Sequence, residues 1–281
     1  MKMEADWYWG CLGFLGMLGY SLNEPLYYAF FAFFLFFLRP VFRKGVKGGG
    51  KMPAGEKVDR AALKRKALVR FGLAPFALGA LFFIPAGSLC YWQAWLYMAV
   101  LLVPMAFVVA YFLKRDPMLL ERRLRMKEKV TEQETLVKFS YLWFVAAFIV
   151  PGLDYRFGLS QVPVEVVLLS NLLVLIGYFM FFLVMKENSF LSRIVEVQKG
   201  QKVISTGPYA VVRHPMYTAV LIIYGLSPLA LGSYWGFLAV LPLMGVLYFR
   251  TLNEEKVLLR GLKGYKEYCR KVRWRMVPFV W

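Results

Sequence analysis

Between residues 69 and 251 the sequence alternates long apolar blocks with loops rich in lysine and arginine. The blocks fall at about 69–89, 92–113, 139–151, 163–185, 215–231 and 234–251. A helix needs about 20 apolar residues to cross a bilayer core. Soluble domains are roughly half apolar and a quarter charged. Here 59% of residues are hydrophobic and only 19% are charged. This pattern predicts an all-α, polytopic membrane protein. An earlier stretch, 7–38, is interrupted by Ser21, Asn23, Glu24 and Pro25. It reads either as one kinked helix or as a hairpin turning at Asn23-Glu24-Pro25. The expected total is seven to eight transmembrane helices.

Charge placement gives an orientation. Residues 39–70, 114–138, 186–213 and 250–281 hold eleven, eight, five and nine Lys/Arg. The loops near 90, 156 and 232 hold zero, one and zero. The positive-inside rule places the four basic regions in the cytoplasm. The formal net charge of +18 raises the question of nucleic acid. The cations sit between apolar blocks, so they suit anionic membrane lipids, and no nucleic-acid partner is expected. Asp59 is positioned to cap a basic helix, 60–70, feeding the next span. Residues 114–138 mix both charges with Leu119, Leu120, Leu124 and Met126 and predict an amphipathic surface helix. Asp154, Tyr155 and Arg156 are expected in a short outer loop. The polar start, residues 1–6, leads into a block without a small-residue cleavage site, so a removed signal peptide is not expected.

The chain divides into three parts on this reading. Residues 1–68 hold the N-terminal hairpin or kinked helix and a basic loop. Residues 69–160 hold accessory spans and the surface helix. Residues 161–281 hold the chemistry-bearing core. Cys11, Cys90 and Cys269 share no short spacing, and the chain has one histidine, so no metal site is expected.

That histidine, His214, centres the most specific segment: Gly207-Pro208-Tyr209-Ala210-Val211-Val212-Arg213-His214-Pro215-Met216-Tyr217. A polar loop here becomes a hydrophobic helix, with Pro215 suited to its first turn. Downstream, Arg250 and Glu254 are four residues apart and share a helix face. Arg250 ends an apolar run, where an ionisable group is costly and usually functional. Glu255 points about 100° away from Glu254, so the two carboxylates can divide between a ligand and the tail. Each residue also has a plainer reading. His214 can cap its helix, Arg213 can face lipid phosphate, Tyr209 and Tyr217 can be interface anchors, and Arg250–Glu254 can be a surface ion pair.

Several elements together resemble the isoprenylcysteine carboxyl methyltransferase family and its phospholipid N-methyltransferase relatives. They are Gly207-Pro208-Tyr209, Arg213-His214-Pro215-Met216-Tyr217, Arg250 with Glu254-Glu255, Tyr265 with Tyr268, and Arg275-Met276-Val277-Pro278. The resemblance covers about residues 170–281. It implies a cytosolic pocket for S-adenosyl-L-methionine built from the His-Pro segment, the short helical hairpin and the tail. The sequence has no Gly-x-Gly-x-x-Gly fingerprint of a dinucleotide fold. On this resemblance Arg250 and Glu254 are the expected catalytic pair. Tyr209, Arg213, His214, Tyr217, Glu255, Tyr265, Tyr268 and Arg275 are the expected cofactor-binding residues. The acceptor is expected to be a lipid-like small molecule or prenylated peptide, methylated on a carboxylate or an amine. The sequence also bears a reductase reading, since sterol reductases have a similar C-terminal core and bind NADPH, and a non-enzymatic reading as transporter or scaffold.

Overall fold

The computed structural model describes residues 59–124, 131–192 and 195–281. Every regular element among them is helical. They are α1 (Arg60–Ala86), α2 (Trp92–Arg115), α3 (Pro117–Leu124), α4 (Thr131–Phe157), α5 (Val164–Glu187), a 3-10 turn (Gly207–Ala210), α6 (Pro215–Ala230), α7 (Phe237–Gly261) and α8 (Tyr265–Lys271).

The all-α architecture agrees with the sequence pattern, but the expected seven to eight transmembrane helices do not. Three of the eight described α-helices, α1, α2 and α5, are long and apolar enough to cross a membrane. The reason is length. Helix α6 has 16 residues, about 24 Å at 1.5 Å per residue, short of a ~30 Å hydrocarbon core. Helix α4 begins with Thr131, Glu132, Gln133 and Glu134, and α7 carries Arg250, Asn253, Glu254, Glu255 and Lys256 in its second half. Polar turns complete these helices, so their apolar runs are shorter than their lengths. The alternative forms considered for 7–38 lie outside the described residues.

Helix α1 starts where Asp59 predicts. The Asp59 carboxylate accepts from the amides of Ala61 and Ala62 at 2.9 and 3.1 Å. The basic segment and the following span are one continuous helix, with Pro75 and Pro85 inside it. Residues 114–138 are not one surface helix. Helix α3 is short and tucked inward, with Met118, Leu119, Leu120, Arg122 and Leu124 buried. Its end accepts a hydrogen bond from Arg70, whose Nη1 is 2.7 Å from the Leu124 carbonyl. Arg122 in turn donates to the Ser189 carbonyl at 3.0 Å.

Helices α5 and α6 form the most extensive pairing, and α4 packs on α1 and α7. Small residues let these helices approach, as in membrane bundles. A Cβ at Gly177 of α5 would stand 2.9 Å from Ile223 Cγ1 of α6. A Cβ at Gly152 of α4 would stand 2.7 Å from the Phe82 carbonyl oxygen of α1. The core between them is aromatic, with Phe82 edge-on to both Tyr97 and Phe148. Many large apolar side chains outside this core face outward, Phe76 and Ile84 of α1 and Val103 of α2 among them. Such a surface suits lipid rather than water.

The α6–α7 turn is fastened by buried polar groups. Tyr91 donates to the Leu231 carbonyl at 2.5 Å, and Asn171 donates to that of Ala230 at 3.0 Å. Asp154 accepts from Ser160 at 2.6 Å and from Ser233. Asp154 therefore lies buried within α4, not in a loop, because the turn at Ser233 supplies the partners that a buried carboxylate needs. The α5–α6 contact yields a prediction. Gly177→Val overpacks the pair and should cost ~1–3 kcal/mol. A thermal melt in detergent should show a clear fall in midpoint; an unchanged midpoint would contradict the packing described.

Candidate functional site

A cavity of about 790 Å³ opens among the C-terminal end of α5, the segment after it, the 3-10 turn, α6, α7 and α8. That volume lies within the range of small-molecule and cofactor sites. Its lining changes along its length. One part carries Tyr209, Arg213, His214, Tyr217, Arg250 and Glu254. The rest is walled by Phe71, Met105, Phe144, Tyr224, Leu243 and Leu247, from five different helices.

Local chain chemistry explains how the polar part is built. Gly207 has φ 58, a left-handed conformation, and its α-carbon faces Glu187 so closely that a Cβ would lie 3.1 Å from the carboxyl carbon. Only glycine meets both demands cheaply. Thr206 donates to that same carboxylate. The chain then turns into Pro215 at the head of α6. The C-terminal tail pairs with this junction through main-chain bonds. The Arg213 amide donates to the Trp274 carbonyl at 2.9 Å, and the His214 amide to that of Arg275 at 2.8 Å. Thr218 adds a hydroxyl bond to the Met276 carbonyl at 2.7 Å.

The His214 ring makes no capping bond to α6. It is buried, stacks on Tyr217 at 5.7 Å, and its Nε2 stands 3.3 Å from Glu255 Oε1. Arg213 Nε is 2.8 Å from the same oxygen, and Arg275 Nε donates to Glu255 Oε2 at 2.9 Å. One carboxylate thus holds three basic side chains from two distant segments. Burial pushes the Glu255 pKa up, but hydrogen bonds and positive charge from His214, Arg275 and Arg213 outweigh it. The result lies well below the ordinary 4.5, at about 2.

On the neighbouring face of α7 the arrangement differs. Arg250 Nε donates to the Tyr217 hydroxyl at 3.1 Å, and that hydroxyl donates to Glu254 Oε2 at 2.5 Å. Burial, with the charge of Glu254, pushes the Tyr217 phenol up, so it stays a neutral donor. Arg250, Tyr217 and Glu254 form a connected chain on the cavity wall, at the border between its polar and apolar parts.

Helix α8 closes the polar end. Tyr268 donates to the Tyr209 carbonyl at 2.7 Å, while the Tyr209 hydroxyl accepts from Asn188 at 2.9 Å. Burial pushes both phenols up in pKa. Tyr265 also lines the cavity. Its buried hydroxyl has no oxygen or nitrogen partner. Its neighbour is the Cys269 thiol, a weak partner for a buried phenol.

Eight of the ten residues singled out in the sequence line the cavity: Tyr209, Arg213, His214, Tyr217, Arg250, Glu254, Tyr265 and Tyr268. Glu255 and Arg275 stand behind the wall and tie it together. Sequence reasoning missed Arg123 of α3, which lines the cavity and lies over the Phe181 ring at 5.6 Å. It also missed the apolar wall. Arg123 carried no local signal because it sits in a run of charges that reads as a solvated face.

Comparison with known proteins now bears on this region. Residues 166–263 match the family described as phospholipid methyltransferase, so this part of the chain carries that methyltransferase signature. The match takes in nearly all of α5, the 3-10 turn, α6 and all of α7, and ends before α8. A Delta(14)-sterol reductase of Mus musculus is 32% identical over 89 residues, covering 29% of this chain and 20% of that protein. The chain thus spans about a fifth of the length of that curated relative.

Glu255 sets a pH dependence. Its folded pKa is depressed, so its contribution is complete above the ordinary value and is lost as pH falls toward about 2. An acid titration of intrinsic tryptophan fluorescence should show a transition in that window. The Glu255→Gln variant should lose that component and be less stable at neutral pH by on the order of 3 kcal/mol, because Arg213 is left buried without its counter-charge. An acid profile identical in both proteins would contradict the assignment.

Proposed function

We propose that this protein is a membrane methyltransferase that uses S-adenosyl-L-methionine and methylates a carboxylate or amine on a lipid-like acceptor. The observation carrying this is a two-part cavity whose polar residues Tyr209, Arg213, His214, Tyr217, Arg250 and Glu254 all fall in the segment that matches phospholipid methyltransferases. A polar, charged end suits a zwitterionic nucleoside cofactor. The apolar end suits a hydrocarbon chain.

The residues fit such a cofactor. Arg213 and Tyr209 offer donors for a carboxylate, and the Tyr265 hydroxyl, which has only the Cys269 thiol beside it, offers a further donor or acceptor for a ribose or amino acid end. His214 and Tyr268 shape the same wall. Glu255 and Arg275 hold the wall in place from behind. When bound, S-adenosyl-L-methionine supplies an activated methyl group. The protein supplies position and field. Arg250 orients an acceptor carboxylate, which is already ionised at neutral pH. For an amine acceptor, Glu254 takes the proton, and Tyr217 holds both groups in register. The apolar walls exclude water and strengthen each of these charges.

The exposed cations Lys263, Lys266 and Arg270 flank Tyr265 and Tyr268 at the polar end of the cavity. This favours a cytoplasmic opening. A small lipid acid, a polar lipid and a prenylated peptide all meet the acceptor chemistry. One alternative has an observation in its favour. The stretch shared with a sterol reductase supports a reductase reading, in which NADPH takes the polar end.

Labelled methyl transfer from S-adenosyl-L-methionine into a total lipid extract tests the proposal. The wild type should label a lipid-phase product. Arg250→Ala and Glu254→Gln should lower the rate on the order of 10²-fold or more with unchanged melting behaviour. Tyr217→Phe should lower it less, by about tenfold, since orientation survives in part. Full activity in all three variants would refute the assignment.

A further inference from the structure

After α8 the tail does more than wall the cavity. Having paired with Arg213 and His214, it closes a tight loop. The main-chain oxygen of Trp281 accepts from the amides of Arg275, Met276 and Val277 at 2.9, 3.1 and 3.2 Å. Within this loop Phe279 has φ 66, and among the described residues it alone adopts positive φ without being glycine. A bulky residue holds that conformation only where its surroundings determine it. The effect here is to turn apolar side chains outward: Phe279 and Val280 are each 76% exposed.

The loop also has a defined depth. The Trp281 ring stacks on Tyr248 at 4.7 Å and lies beneath the Arg275 guanidinium at 5.1 Å. Tyr248 and Phe249, both exposed, are the last residues of the α7 apolar run before Arg250. The tip therefore lies level with the point where α7 passes from apolar to charged. Tryptophan and tyrosine concentrate at that level in membrane proteins. The tail that carries it exposes the cations Lys263, Lys266, Arg270, Lys271 and Arg273, with Glu267 its one exposed acid. An exposed apolar tip on a strongly basic tail matches an anionic lipid surface in both polarity and charge.

We propose that Phe279 and Val280 insert into the headgroup–acyl boundary of an anionic bilayer, and that this insertion latches residues 272–281 against the polar end of the cavity. The latch follows from connectivity. The same ten residues carry the Trp274 and Arg275 carbonyls that pair with Arg213 and His214, and the Arg275 side chain held by Glu255. A tail drawn to the membrane keeps those bonds closed. Insertion stands independently of the methyltransferase reading; the effect on cofactor rests on it.

The test uses the full chain in nanodiscs of phosphatidylcholine, with and without phosphatidylglycerol. Phe279→Cys is labelled with an environment-sensitive fluorophore in a background of Cys11→Ser, Cys90→Ser and Cys269→Ser. Nitroxide on the lipid acyl chain should quench it, more strongly with phosphatidylglycerol, and a water-soluble nitroxide should not. Quenching by the soluble nitroxide alone would overturn insertion. So would protection from both quenchers that vanishes on dilution, which would mean that a second copy covers the tip. For the latch, F279E/V280E should bind S-adenosyl-L-methionine on the order of tenfold more weakly in anionic nanodiscs, with an unchanged melting temperature. Equal affinity would overturn the latch. Absence of binding by the wild type would overturn the enzymatic reading and the latch together, while quenching still decides insertion.

Discussion

The Glu255 carboxylate is the contact on which the site's architecture depends. It sits on α7, yet it binds Arg213 and His214 at the head of α6 and Arg275 of the tail. Those three groups are separated in sequence by up to 62 positions, the difference between 213 and 275. A buried carboxylate without them would be costly, and they without it would be equally so. The cluster therefore makes the folding of the tail and the placement of the His-Pro segment one event. The main-chain pairing of residues 213–214 with 274–275 supports the same closure.

What this closure creates is a division of labour along one helix. Glu254 and Glu255 are adjacent, and a helix turns them about 100° apart. Glu255 faces the tail and has its charges satisfied by protein. Glu254 faces the cavity and accepts from the Tyr217 hydroxyl, which itself accepts from Arg250. Neighbouring carboxylates thus face two different surroundings, the tail and the cavity. Apolar residues of α1, α2 and α4 share the cavity with the polar residues of α6, α7 and α8.

Much of this site was legible because its signals are local. The Gly207–Tyr217 segment announces a turn and a helix start by Gly, Pro and a following apolar run. The four-residue spacing of Arg250 and Glu254 puts them on one face, and Asp59 marks the start of α1. The number of membrane helices was not legible in the same way. Apolar runs such as 139–151 and 234–251 belong to helices whose remaining turns are polar, so α4 and α7 fall short of spanning composition. Nor was α3 readable: its leucines and arginines fit a surface helix, but Arg122 and its neighbours find carbonyl partners in distant segments. Asp154 read as a loop residue because its partners, Ser160 and Ser233, meet it only after folding. The apolar cavity wall comes from residues such as Phe71 and Met105 that differ in no local way from lipid-facing neighbours.

The central claim is that the polar end of the cavity holds S-adenosyl-L-methionine. Equilibrium titration calorimetry of the full chain in nanodiscs, with S-adenosyl-L-methionine and NADPH as separate ligands, addresses it most directly. Saturable binding of S-adenosyl-L-methionine at one site, weakened in a variant that removes the Tyr265 hydroxyl (Tyr265→Phe), is the result expected. Tight, saturable NADPH binding with no heat from S-adenosyl-L-methionine would contradict it and assign the cavity to a reductase.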